Sequence, residues 1–232
     1  MEKGAIRSAK EAFQKIMKLA PSHIDNLHHL AIILDEQGNR EEALELWEKA
    51  VKMGKDALSN NLKKGDRLEW ICLENRPFLR SMHSLGCAYL DLGKKDQALT
   101  VFEEMLSYNP NDNQGIRELL LELYLEQDKI DSALSLCRKY PEDGLAGILY
   151  GHPLILFKKY KSKKKATNKL EEAIELSPKI ADELLKKRHR KPKETIPGYI
   201  TSGGWDEAYE YWEYFGRFWG KEELAWLKKV RG

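Results

Sequence analysis

LHHLAIILDEQGNREEALELWEKA, residues 27–50, returns later in the chain as MHSLGCAYLDLGKKDQALTVFEEM, residues 82–105. Each copy has apolar residues at helical spacing, then a glycine (Gly38 or Gly93), then a second run of apolar residues at the same spacing. Glycine readily adopts the left-handed conformation that ends many helices. The repeated stretch therefore predicts pairs of antiparallel helices joined by short turns, stacked as an array.

Small and large residues occupy matching positions in the two copies. Ala43 and Ala98 allow two helix backbones to approach closely, and Trp47 and Phe102 fill the space that remains. Pro110 follows the second copy and prevents its last helix from continuing. The pattern resembles that of tetratricopeptide-repeat (TPR) proteins. This resemblance implies an all-α fold, a TPR-type right-handed α-solenoid of antiparallel helix pairs.

Two less regular copies follow these two. Residues 117–140 form a third copy, in which Asp128 stands in place of the turn glycine and Cys137 in place of a bulky aromatic residue. Residues 150–178 form a fourth copy, with Pro153 inside its first helix and a lysine-rich turn. We therefore expect four helix pairs, of which the last is degenerate.

The remaining segments lie before, within and after the repeats. Ala9, Phe13 and Ile16 match the second helix of a repeat, so the chain opens with half a unit. An insertion separates the first two copies, and we expect its apolar residues Ile71 and Leu73, together with Trp70, to pack on the repeats, because leaving them in water is costly. Aromatic residues at near-helical spacing close the chain and predict a capping helix region.

These patterns divide the chain into eight predicted segments. They are a half-repeat helix (1–23), TPR 1 (24–57), the insertion (58–78), TPR 2 (79–113), TPR 3 (114–146), a degenerate TPR 4 (147–180), a basic linker (181–204) and an aromatic C-terminal cap (205–232). The segments ENRPFLR (74–80) and NPNDNQG (109–115) further resemble a subgroup of bacterial TPR proteins that has no assigned chemistry.

TPR proteins typically bind peptides on the face formed by the first helix of each repeat. The resemblance places nine residues on that face: Asp25, His28, Ile32, Asp35, Arg80, His83, Cys87, Glu118 and Glu122. The carboxylate clamp of chaperone-binding TPR domains needs Lys and Asn on the first such helix and Lys and Arg on the third. Its positions here hold His28, Ile32, Gly115 and Leu119, so we do not expect a chaperone-tail clamp. The mixture of basic, acidic and histidine side chains instead favours a peptide of mixed charge.

Positive charge is concentrated near the C-terminal end. Residues 158–193 contain fourteen Lys or Arg and five Asp or Glu, whereas the whole chain carries a net charge of only +2. The sharpest cluster, KKRHRKPK at 186–193, predicts contact with nucleic acid, an acidic protein or an anionic membrane; the alternative is a solvated linker. The candidate contact residues are Lys186, Lys187, Arg188 and Arg190.

Motifs for catalysis or metal binding are missing from the sequence. It has no Gly-rich phosphate loop, no GxSxG elbow and no HExxH helix, so we expect neither an enzyme nor a cofactor. His83 and Cys87 are four residues apart, a spacing that is common by chance, and we expect no metal site. The three cysteines form no CxxC pair, which favours a reducing, cytoplasmic compartment, and no stretch reaches the roughly 18 apolar residues of a membrane span.

The sequence thus predicts a non-catalytic scaffold or adaptor whose partner is another protein or a peptide. Two alternatives stay open. One is an accessory factor that contacts nucleic acid through the basic stretch, and the other is a structural subunit that forms homo-oligomers through the N-terminal half repeat. The identity of the partner is not encoded in any of these patterns.

Overall fold

The computed structural model describes residues 2–59, 66–160, 163–193 and 198–232, with side chains from Ser8 onwards except that of Ser59. Within these ranges the chain forms α-helices and two short 3₁₀ helices, with no β-strand. This confirms the predicted all-α fold. Parts of the predicted half repeat, insertion, fourth repeat and basic linker lie outside the described residues, namely 1, 60–65, 161–162 and 194–197.

The chain divides into two compact units, Met1–Ile116 and Arg117–Gly232, here called the N-terminal and C-terminal units. Among its described residues, the N-terminal unit contains five α-helices, α1 (Glu2–Leu19), α2 (Ile24–Glu36), α3 (Arg40–Ser59), α4 (Arg76–Asp91) and α5 (Lys95–Tyr108). Helix α2 packs on α3, α4 packs on α5, and α4 also contacts α2 and α3. Helix α1 packs on α2, to which it is joined by the side-chain amide of Asn26, which donates a hydrogen bond to the carbonyl of Phe13.

Turn glycines and small helix residues make these pairs possible. Gly38 and Gly93 lie in the two turns at φ values of +83° and +70°, a conformation that favours glycine. Gly86 of α4 lies directly against the ring of Phe102 in α5, because a Cβ atom at Gly86 would be 2.2 Å from Cε1 of Phe102. The two helices therefore approach closely at the residues that the repeat pattern indicates.

The buried residue Leu68 attaches the described part of the insertion to the N-terminal unit. Leu68 is 3% exposed, its N–H donates to the carbonyl of Tyr108, and its carbonyl accepts a hydrogen bond from the side chain of Asn109. The prediction that Ile71 and Leu73 pack on the repeats was wrong, since they are 81% and 64% exposed. These two residues lie in the tight turn and 3₁₀ helix just before α4, where local backbone hydrogen bonds form without any need to bury the side chains.

The C-terminal unit holds the remaining helices. They are α6 (Ile116–Glu126), which begins at the last residue of the N-terminal unit, α7 (Ile130–Lys139), α8 (Ala146–Lys159), α9 (Lys164–Leu176), α10 (Pro178–Leu184), α11 (Trp205–Phe215) and α12 (Lys221–Arg231). Asp128 adopts a φ of +54° in the turn before α7, so it takes the conformation that glycine takes in the first two repeats. Helix α8 continues through Pro153, and Cys137 of α7 is fully buried.

Aromatic side chains pack the end of the chain onto α8. Tyr150 is fully buried and donates a hydrogen bond of 2.7 Å to the carbonyl of Ser177. Its ring centroid lies 5.5 Å from that of Tyr211 and 6.5 Å from that of Trp219. The indole N–H of Trp219 in turn donates to the hydroxyl of Tyr211. Tyr211 and Trp219 thus form part of the core of this unit, whereas Trp205 at the start of α11 is exposed.

None of the helices within the described part of the chain combines the length and the apolar composition that crossing a bilayer requires.

Candidate functional site

Two of the predicted binding residues meet on the first helices of successive pairs. Nη2 of Arg80, on α4, donates a hydrogen bond of 2.7 Å to Oδ1 of Asp25, on α2. Nε2 of His29 lies 3.6 Å from the same carboxylate oxygen. The side chains of Arg80 and Asp25 are 37% and 32% exposed, so solvent reaches both partners of this ion pair.

His28 lies beside this ion pair but is buried. It is only 4% exposed, and its ring makes an edge contact with His29 at 5.2 Å between centroids. Burial, assisted by His29 and the Arg80 charge, lowers the pKa of His28 to about 4. Within the described residues, Nδ1 of His28 and Nε of Arg80 have no hydrogen-bond partner. His28 is therefore uncharged at neutral pH and is almost inaccessible to solvent.

His83 and Cys87 lie one turn apart on α4. Sγ of Cys87 is 3.9 Å from Nε2 of His83. Burial lowers the pKa of His83, against an opposing effect of Asp112, and burial raises the pKa of Cys87 to about 11. Both side chains are therefore uncharged at neutral pH. No group of three or more His, Cys, Asp or Glu side chains in the described ranges is placed to hold a metal ion.

The remaining predicted residues of the N-terminal unit lie further along α2. Ile32 is half-buried, and Asp35 is exposed next to the turn at Gly38. We call the surface formed by Asp25, His28, Ile32, Asp35, Arg80, His83 and Cys87 the α2–α4 face. It combines one solvent-accessible ion pair and the exposed acidic side chain of Asp35 with a row of uncharged side chains. The sequence reasoning missed His29, although its spacing of four residues from Asp25 on one helix is a signal for contact.

In the C-terminal unit, the predicted binding residue Glu118 forms a hydrogen bond within the unit. Its Oε1 accepts a hydrogen bond of 2.5 Å from the backbone N–H of Gly147, in the first turn of α8. Burial raises the pKa of Glu118, and the hydrogen bond from Gly147 opposes that shift. The ring of Phe215, from α11, covers the same place, since a Cβ atom at Gly147 would be 3.0 Å from Cζ of Phe215.

Glu122 is engaged as well. Its Oε1 accepts a hydrogen bond of 2.8 Å from Nη2 of Arg217, which lies in the 3₁₀ helix that follows α11. Sequence reasoning did not identify Arg217, because nothing in its local pattern connects it to a residue of α6. In the C-terminal unit, the two predicted binding residues therefore contact the chain's own α8 and the segment around α11.

The basic cluster consists of two kinds of side chain. Lys186 and His189 both contact the carboxylate of Glu183, which is 1% exposed. Lys187 and Arg188, which lie between Lys186 and His189, are exposed. Arg190 is exposed too. All four candidates are exposed, and Lys186 differs from the other three in having an internal partner.

Comparisons with known proteins address the family and the fold. The model of the family Tcf25, described as transcriptional repressor TCF25, matches residues 6–230. A search of curated proteins found no match. The segments at 74–80 and 109–115 lie inside the range that the Tcf25 model matches, and their resemblance to a bacterial TPR subgroup stays a prediction.

Two solved structures are similar to the chain. YrrB, described as a TPR protein with an unusual peptide-binding site, is 19% identical, with a TM-score of 0.52 over 76% of this chain and 80% of its own. The MamA RS-1 ArsTM double mutant is 16% identical, with a TM-score of 0.50 over 75% of this chain and 86% of its own. At such low identity the likeness concerns the fold alone, and it supports the predicted TPR-type arrangement of helices.

Proposed function

The chain belongs to the Tcf25 family, and we propose that it is a non-catalytic scaffold that binds a peptide segment of another protein on the α2–α4 face. The helix pairs of a TPR-type fold support this proposal, because they leave one face of successive first helices available for a ligand. The family's description as a transcriptional repressor suggests the process in which such a scaffold would act.

One observation carries the proposal, namely the solvent-accessible pair of Asp25 and Arg80. An exposed ion pair typically contributes only about 0–1 kcal/mol, so opening it costs little. A peptide that brings its own acidic residue to Arg80 and its own basic residue to Asp25 would exchange one internal pair for two intermolecular pairs. The position is therefore suited to a ligand of mixed charge.

The uncharged side chains beside the ion pair indicate which kind of residue fits between the acidic and basic residues of the peptide. His28 and His83 have lowered pKa values, and Cys87 has a raised one, so all three are uncharged near neutral pH. Ile32 adds a half-buried apolar side chain. A charged ligand residue placed there would lose hydration without gaining a partner. The face therefore favours a short uncharged segment next to the acidic and basic residues of the peptide.

The C-terminal unit is a weaker candidate for the same role. Glu118 and Glu122, the predicted binding residues of this unit, already bind Gly147 and Arg217. A peptide that binds there would have to replace these internal contacts. It would also have to displace the ring of Phe215, which is 4% exposed. For this reason we assign peptide binding to the N-terminal unit.

A charge exchange tests the proposal. In the double variant Asp25→Arg/Arg80→Asp, an internal ion pair is retained but its polarity is reversed. Peptides selected by the unaltered protein from a library of mixed charge should bind this variant at least about tenfold more weakly, which corresponds to about 1.4 kcal/mol. The variant should itself select peptides of the opposite charge order. Affinities are measured by isothermal titration calorimetry with synthetic peptides.

The matched control is the exchange Lys169→Glu/Glu172→Lys, which reverses another solvent-accessible ion pair on α9. This control should bind the selected peptides as the unaltered protein does. Equal affinity of the Asp25→Arg/Arg80→Asp variant for the same peptides would contradict the assignment to the α2–α4 face. Failure of the unaltered protein to select any peptide would contradict peptide binding altogether.

A further inference from the structure

The segment 186–193, which we call the basic loop, is attached to the C-terminal unit by two side chains that contact one buried carboxylate. Nδ1 of His189 lies 3.0 Å from Oε1 of Glu183, and Nζ of Lys186 donates to the other oxygen of the same carboxylate. Glu183 lies in α10 and is 1% exposed, so both side chains contact a buried carboxylate. The loop is therefore attached to the fold at two points three residues apart.

A ring contact adds a third attachment. The imidazole of His189 stacks on the indole of Trp212, in α11, with 3.9 Å between centroids and 9° between planes. Stacking at this distance buries one face of each ring. The basic loop is thus held between α10 and α11 rather than joined to the unit only through its ends.

The side chains that do not form these attachments carry positive charge into solvent. Lys187 and Arg188 lie between the two anchoring residues, and Arg190 directly follows the second. All three are exposed, as are Lys191 and Lys193. In the described ranges, no carboxylate forms an ion pair with Lys187, Arg188 or Arg190.

Nearby carboxylates have internal partners of their own. Asp182 binds Arg231 at 3.0 Å. Asp206 accepts a hydrogen bond of 2.7 Å from the N–H of Thr201, and Glu207 accepts one of 2.8 Å from the N–H of Gly203. These three carboxylates therefore have partners within the C-terminal unit. Burial raises the pKa of Glu210, and the charge of Lys191 opposes that shift, so Glu210 is an acidic group that lies near the loop.

An aromatic ring lies next to this charge. Trp205, the first residue of α11, is 42% exposed, and Nζ of Lys186 is 4.0 Å from the centroid of its ring. A surface pocket connects the ring to the end of the basic loop; it is lined by Pro192, Lys193, Thr201, Gly204, Trp205 and Asp206. Lysine and arginine pair with phosphates, and an accessible indole offers a surface on which an unpaired base stacks.

We propose that the basic loop and Trp205 bind single-stranded nucleic acid. Lys187, Arg188 and Arg190 pair with backbone phosphates, and Trp205 stacks with a base at the end of the loop. An acidic polypeptide would use the same charges, but it would have no base to place on the indole. This surface lies in the C-terminal unit, on residues that the proposed peptide site does not use, so each of the two proposals can fail without the other.

Fluorescence anisotropy with a labelled 20-nucleotide single strand measures this binding. The test variant is Lys187→Glu/Arg188→Glu, and the matched control is Lys164→Glu/Lys165→Glu, which makes the same charge change at two exposed lysines on α9 of the same basic stretch. The test variant should bind at least about tenfold more weakly, and its slope of log affinity against log salt should fall by about 1.4, or roughly 0.7 for each lost phosphate contact. The control should stay within about twofold of the unaltered protein.

A second pair of variants tests the ring. Trp205→Ala should weaken binding of the single strand by about tenfold, and Trp205→Phe should retain most of it. Thermal melts followed by circular dichroism establish that each variant is folded. If the control loses affinity as much as the test variant, or if Trp205→Ala binds like the unaltered protein, the proposal is overturned. It is equally overturned if polyglutamate, anionic vesicles or the matching duplex binds more tightly than the single strand.

Discussion

Oε1 of Glu118 accepts a hydrogen bond of 2.5 Å from the backbone N–H of Gly147, at the start of α8. The first turn of a helix has backbone N–H groups without intrahelical partners, and a carboxylate there is favourable. The contact is close because Gly147 has no side chain: a Cβ atom at this position would be 2.5 Å from Oε1 of Glu118. A residue that the repeat pattern places on a binding face thus caps the first helix of the next pair.

Substitutions of Glu118 should show how much its hydrogen bond with Gly147 stabilises the fold and how the burial of its carboxyl group affects that stability. Glu118→Ala leaves the N–H of Gly147 without its acceptor and should lower the free energy of unfolding by about 1–3 kcal/mol. Glu118→Gln keeps an acceptor and should cost less at pH 7.

Burial raises the pKa of Glu118, so its ionised form is penalised in the folded state. The unaltered protein should therefore gain stability relative to Glu118→Gln as the pH is lowered towards about 4.3. Urea unfolding at pH 7 and pH 5 tests this, and a relative loss on acidification would contradict it.

Acid should destabilise the N-terminal unit through His28. Its pKa is lowered from 6.5 to about 4 in the folded chain, so below 6.5 the unfolded chain takes up a proton that the folded chain does not. Stability is therefore lost as the pH falls from 6.5 towards 4. His28→Gln should lose about 3 kcal/mol less than the unaltered protein over this interval. Urea unfolding at several pH values measures the difference. His29→Gln, at the half-exposed neighbour, is the control and should keep most of the pH dependence.

The packing of α11 should depend on aromatic burial more than on charge. Phe215 is 4% exposed, and Phe215→Ala should lower the free energy of unfolding by about 3–5 kcal/mol. Arg217→Ala removes the ion pair with Glu122, but the arginine side chain is 45% exposed, so we expect a loss of less than about 1 kcal/mol. Guanidinium unfolding compares the two variants. Similar losses would contradict this expectation, because the ion pair would then stabilise the unit as much as the buried ring does.

The contact of Gly86 with Phe102 predicts a paired effect. Alanine is usually better than glycine inside a helix, but a Cβ atom at Gly86 would lie 2.2 Å from the fully buried ring. Gly86→Ala should therefore destabilise the chain by about 1–3 kcal/mol. Adding Phe102→Leu, which removes part of the ring volume, should recover some of that loss. Thermal unfolding of the single and double variants measures the coupling, and independent, additive effects would contradict the contact.

The prediction of a homo-oligomer can be tested on α1. Ile16 and Leu19 of this helix are 39% and 86% exposed, and a second copy of the chain could cover them. If such an assembly forms, Leu19→Glu should dissociate it. Multi-angle light scattering over a hundredfold range of concentration measures the mass. A monomer at every concentration of the unaltered protein would exclude the oligomer.

Much of the fold could be predicted because its determinants are local. The turn glycines Gly38 and Gly93, and the small residues that face Phe102, are close in sequence to the helices that they shape. Asp128 shows the limit of such rules, since it adopts the left-handed turn without being a glycine. The pattern still identified that turn, because the spacing of apolar residues on either side was retained.

The candidate site could be predicted only in part. The meeting of Asp25 and Arg80 follows from the repeat register, because equivalent positions of neighbouring first helices lie side by side. The exposure of Ile71 and Leu73 did not follow from hydrophobicity, because it depends on where Leu68 anchors the insertion.

The sequence by itself determined the helix pairs, because helical periodicity and turn chemistry act over a few residues. Only the tertiary structure decided which residues of the first helices face solvent and which have internal partners. Glu122 contacts Arg217 across 95 residues of chain, and no local pattern encodes such a contact. It arises because burying the aromatic side chains of α11 against α8 brings the two residues together, and that burial depends on how the whole C-terminal unit packs.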